Sequence, residues 1–112
     1  MAVIGFSDKP EEIWCVAGWA FRQILEDVVS QYQEDFEMAD AFAIAETHSG
    51  LGIDLLNPPL AERVTKRLRK VAEDILSGTV RSGIHDKSYG DKETFEQYRN
   101  GLVELLTVIP AR

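Results

Sequence analysis

Three carboxylates, Glu34, Glu37 and Asp40, recur at intervals of three. On a helix such positions are surface neighbours, so the spacing gives an acidic stripe that drifts slowly around the axis. A stripe of this kind can hold a divalent cation, or it can meet a cationic surface on another macromolecule. It also belongs to a longer run. Residues 23–62 contain no Lys or Arg but nine acids: Glu26, Asp27, Glu34, Asp35, Glu37, Asp40, Glu46, Asp54 and Glu62. So one-sided a run sets up a persistent negative field.

The remaining reactive side chains offer less. His48 and His85 are the two histidines, both in expected loops, whereas a zinc site needs three or four convergent ligands. Glu46-Thr47-His48 lacks the Glu-x-x-His spacing of di-iron bundles. The single cysteine, Cys15, sits in an apolar stretch with no cation to favour its thiolate, and reads as a small core residue. Ser49 beside His48 has no glycine-flanked elbow. Gly50-Leu51-Gly52 lacks the third glycine and the Lys-Ser/Thr of a phosphate loop. Nucleophilic and phosphate-loop chemistries are set aside, and no metal or cofactor is expected.

Glu34-Asp35-Phe36-Glu37 resembles the Glu-x-x-Glu pair with which all-helical nucleotide pyrophosphohydrolases of the MazG type hold Mg²⁺. That resemblance implies a hydrolase with Glu34, Glu37 and Asp40 as ligands and a site completed in an oligomer. The family carries a Glu-x-x-Asp pair on the following helix. Here Asp54, Glu62, Glu73 and Asp74 stand at other spacings. His85-Asp86 resembles the adjacent pair of HD-type metal-dependent phosphohydrolases, without the further helical His those enzymes use.

The elements that must position these residues are read as helices. In residues 7–12, Asp8 is a candidate cap, Pro10 suits a first turn and Glu11 follows the cap by three. From Ile13 onward Val16, Ala17, Ala20, Phe21, Ile24, Leu25, Val28 and Tyr32 recur at helical spacing, with Gly18 midway at a point of close packing. A turn is expected at residues 31–34, then a second helix over 35–46 with Phe36, Ala39, Phe42, Ala43 and Ala45 on its buried side. Residues 47–52 read as a loop. Asn57-Pro58 opens a third helix with Leu60, Val64, Leu68, Val71 and Ile75 inward, closed by Gly78. On its outer arc Arg63, Lys66, Arg67 and Lys70 alternate with Glu62, Glu73 and Asp74 in the manner of i,i+4 ion pairs. Residues 79–90 form a polar loop pinned by Val80 and Ile84. Asp91 then caps a last helix burying Phe95, Tyr98, Leu102, Leu105 and Leu106, with Gly101 at a close approach or weak spot. The expected fold is a single-domain, all-α bundle of about four helices, with a short N-terminal extended segment as an option.

The 112 residues suffice for one domain with its own core, and 45% apolar with 28% charged residues is an ordinary globular mix. No apolar run is long enough to span a membrane, no secretory leader is visible, and a lone cysteine suits a reducing, cytoplasmic setting. The net charge is −7, unevenly spread. Residues 1–56 carry two basic residues against eleven acids, and residues 57–112 carry ten against eight. That balance disfavours direct nucleic-acid binding and favours a basic protein partner.

Charge, size and helical content are similar to those of small acidic inhibitors and immunity proteins of nuclease toxins, which cover a basic groove with carboxylates. The expectation is therefore a non-catalytic binding protein that inhibits or regulates a basic partner. Glu34, Asp35, Glu37 and Asp40 would make the contact, with Glu46 and Asp54 at its edge. The alternatives are the Mg²⁺-dependent hydrolase or a helical oligomerisation or adaptor module using Trp14, Trp19 and Ile109 at an interface.

Overall fold

The computed structural model describes residues 1–110. The chain runs β1 (Ala2–Gly5), β2 (Ile13–Val16), α1 (Gly18–Gln31), α2 (Phe36–His48), β3 (Gly50–Gly52), α3 (Pro58–Ser77) and α4 (Lys92–Val108). Short 3-10 turns fall at Pro10–Glu12, Ile53–Leu55 and Gly83–Asp86. The protein is mostly helical, but it is not the expected all-α bundle. Its four helices accompany a three-stranded mixed sheet of order β2-β1-β3. β1 pairs antiparallel with β2 and parallel with β3.

The N-terminal third departs most from the sequence reading. Residues 7–12 do not open a helix: Pro10–Glu12 is one 3-10 turn without a side-chain cap, and the Phe6 N–H bonds the Glu12 carbonyl to bring the chain back. Ile13–Val16 is then extended, and alternation replaces helical periodicity. Ala2, Ile4 and Trp14 face the core, whereas Val3 and Cys15, paired across β1 and β2, face outward. Cys15 is therefore exposed rather than a core residue. Gly18 is the first residue of α1, not its midpoint.

Trp14 and Ile109, expected as interface residues, are buried. The Trp14 indole N–H donates to the Gly101 carbonyl at 3.0 Å, and the ring packs on Gly101, so that glycine marks a close approach of β2 and α4.

Beyond α1 the helices fall where the sequence places them. The chain turns between Gln31 and Phe36, and α2 extends to His48 before Ser49, at φ 53°, ends it in the left-handed region. Gly50–Gly52 is not a loop but an edge strand whose Leu51 sits beside Ile4. α3 has the foreseen stripe, with Asn57 accepting from the Leu60 N–H and Gly78 at φ 81° closing it. The 79–90 segment is pinned by buried Ile84 and half-buried Val80. It folds so tightly that a Cβ on Gly90 would overlap the Ile84 carbonyl.

Candidate docking face

The six carboxylates expected to bind a partner divide into two groups. Asp35 and Glu37 belong to the fold. Asp35 caps α2 by accepting from the Met38 N–H at 3.0 Å, and its other oxygen takes Arg63 Nε at 3.1 Å and Arg67 Nη1. Its side chain is only 13% exposed. The Met38 amide holds the Asp35 carboxyl below its ordinary value, and the two guanidinium groups add to that effect against the cost of burial. Glu37 accepts from Arg63 Nη2 at 2.7 Å and Asn57 Nδ2 at 3.3 Å, which lower its pKa in that order. Arg67 also stacks on the Tyr32 ring, 4.2 Å from its centroid. These ties fasten the N-terminus of α2 to α3. The outer arc of α3 is otherwise self-paired, Lys66 to Glu62 at 2.8 Å and Lys70 to Asp74 at 3.2 Å.

Glu34, Asp40, Glu46 and Asp54 form the second group. All four are exposed, and none has an ion-pair or side-chain hydrogen-bond partner among the described residues. Asp40 and Glu46 lie on α2, Glu34 in the turn before it and Asp54 in the 3-10 turn after β3.

α2 buries little: Met38, Phe42 and Ala45 alone point fully inward. Phe36 and Ala43, expected inside, are exposed, Phe36 to 75%. Ile44 is 62% exposed, and with Phe36 and Asp40 it forms one i, i+4, i+8 row. That row climbs about 12 Å along the helix at 1.5 Å per residue. Leu55, 86% exposed, lies two residues before Asn57, on the connection that Asn57 ties to Glu37. On the other flank of α2, Ala39, Phe42, Ala43 and Glu46 line a cavity of about 440 Å³ whose far wall is Trp19, Arg22, Lys87 and Tyr89. Lys87 is paired there with Glu26 at 3.0 Å.

Asp27 carries a role the sequence did not disclose. It is 2% exposed, and its carboxylate accepts four hydrogen bonds. Ser82 Oγ (2.6 Å) and Tyr98 Oη (2.7 Å) donate to Oδ2, while the Gly83 N–H (2.9 Å) and Gln23 Nε2 (3.0 Å) donate to Oδ1. Burial raises the Tyr98 pKa well above the ordinary tyrosine value, and the Asp27 charge raises it further. Because Nε2 must face Asp27, the Gln23 carbonyl oxygen is left buried without a donor among the described residues. The network joins α1, the 82–86 turn and α4. No local motif announces it, since Ser82, Gly83 and Tyr98 are 55 to 71 residues from Asp27.

The histidines stand apart from these sites. His48 is exposed at the end of α2, and His85 rests on Phe95 with ring centroids 4.4 Å apart. Among the described residues no three His, Cys, Asp or Glu side chains converge as a metal site, and no helix is long and apolar enough to cross a membrane. No protein-family description, no characterised protein and no solved structure matches the chain.

Proposed function

We propose that this chain is a small, non-catalytic binding protein of the cytoplasm that docks on a basic protein and inhibits or regulates it, as immunity proteins do for nuclease toxins. The observation that carries this reading is the set of unpaired carboxylates on and beside α2. Where a carboxylate serves the fold here, it has partners; Glu34, Asp40, Glu46 and Asp54 have none among the described residues. Such a face speeds association with a cationic surface and discriminates against acidic ones. The hydrolase alternative is weakened, because Glu37, one of its three ligands, is already engaged by Arg63 and Asn57.

The test is affinity capture from a lysate of the native host at about 50 mM and about 300 mM salt, where screening lengths differ by more than twofold. The control is a variant with Glu34→Lys, Asp40→Lys and Glu46→Lys, which leaves the Asp35 and Glu37 ties intact. Capture of one basic protein at low salt, lost in the variant, is the expected result. Full-strength capture by the folded variant would remove the proposal.

A further inference from the structure

We infer that α2 is the inserted element of a helix-in-groove contact, and that the basic partner presents an apolar cleft rimmed by cations. This inference rests on the docking reading above and adds to it the shape and chemistry of the partner. Scattered apolar side chains on a surface need no explanation. Here, however, Phe36 and Ile44 share one row of one helix, small Ala43 lies beside them, and Leu55 projects from the connection tied to Glu37. A row of anchors separated by one and two helical turns is the pattern with which a helix fills a groove. Asp40 stands between the two anchors on the same row, so a groove that accepts Phe36 and Ile44 must bring a cation to Asp40.

A second copy of the chain is a poor occupant. Packing α2 against its own symmetry mate would set the unpaired Glu34, Asp40 and Glu46 against carboxylates of the same set, in a chain already at −7. The helix is also prepared for insertion. Its N-terminus is held by Met38, Arg63 and Arg67 through Asp35, so little conformational freedom remains to be lost on binding. The labour then divides: Glu34, Asp40 and Glu46 govern the association rate, and Phe36 and Ile44 govern the dissociation rate.

The experiment places the photo-crosslinking residue benzoylphenylalanine at position 36, at position 44 and, as a control, at Val103, which is exposed on α4. After irradiation in cells of the native host, adducts are sized and identified by mass spectrometry. Adducts to one basic protein at 36 and 44, absent at 103, are expected. With that protein in hand, Phe36→Ala and Ile44→Ala should each raise the dissociation rate roughly tenfold or more, with the association rate within about twofold.

Absence of adducts at 36 and 44, or adducts to the chain itself, would overturn the groove. So would an unchanged dissociation rate in the double alanine variant. If that variant holds its partner while the triple lysine variant loses it, docking by charge stands and the groove alone falls.

Discussion

Asp27 and Asp35 come from the same cation-free stretch of sequence, and their charges are met in opposite ways. Asp27 is buried on α1 and is bonded to no cation among the described residues; four neutral donors from three segments share its charge. Asp35 sits at the edge of the protein and is answered by two arginines and a backbone amide. The buried site suits neutral donors, because each already needs an acceptor once withdrawn from water. The boundary site suits guanidinium groups, which pair with a carboxylate while keeping part of their hydration. An acidic sequence run is thus not one surface: part of it is internal scaffold, part is a clamp, and only the rest faces outward.

The largest test of the contrast is Asp27→Ala. It strands the Ser82, Tyr98, Gly83 and Gln23 donors in a space closed to water. The expected loss is about 3–5 kcal/mol, from breaking a buried charged network. That is a large part of the total stability of an ordinary domain, about 5–15 kcal/mol. Urea unfolding at low and high salt should give the same loss, since no exposed ion pair is involved. Amide exchange should accelerate first in the 82–86 turn, which Asp27 holds. A loss below about 1 kcal/mol would mean that these bonds contribute little net stability.

A smaller effect of opposite character is expected for Asp35→Asn. Asparagine can keep a neutral cap on α2 but gives up the charge, so the change removes both arginine pairs and the charge's pull on the Met38 N–H together. The expected cost is about 1 kcal/mol at low salt, shrinking as salt is added. The pH dependence has a definite sign. The folded-state pKa of Asp35 is lowered, so its contribution is present above the unfolded value, near 4, and is lost as pH falls through the folded value. The stability gap between the native protein and Asp35→Asn should be flat from neutrality to about pH 5 and close below about pH 4. A gap that is insensitive to salt and acid would place the role of Asp35 in capping alone.

The same distinction explains what could be read in advance. α3 was legible because cap, proline, five-position stripe and terminal glycine are all local to it. β2 was not, because Ile13, Val16, Ala17 and Ala20 fit a helical repeat, and four residues are too few for alternation to overrule it. β3 was hidden by two glycines, whose strand conformation comes from pairing with β1 rather than from propensity. The acidity of the candidate face was legible and its composition was not. Nothing near Asp35 in sequence shows that Arg63 and Arg67 will reach it, and nothing near Asp27 shows the hydroxyl of Tyr98. Apolar spacing places Phe36 inward, because it carries no mark for an aromatic left exposed.

The smallest stability effect, and the sharpest contrast with Asp35, is expected for Asp40→Lys. Asp40 is exposed in the middle of α2, away from either helix end, and has no partner among the described residues. Replacing it removes no bond and adds no burden of burial. Lys at 40 would stand three residues after Glu37, an attractive spacing, and would reduce the excess of negative charge around it. Stability should therefore stay within about 0.5 kcal/mol of the native protein, with any shift toward greater stability. Partner capture should nonetheless fall. That separation matters because a carboxylate conserving neither packing nor hydrogen bonds must be justified by what it meets from outside, or by solubility alone. If Asp40→Lys costs more than about 1 kcal/mol in urea unfolding, Asp40 belongs with Asp35 as part of the scaffold. The outward-facing set would then lose the charge that lies between exposed Phe36 and Ile44.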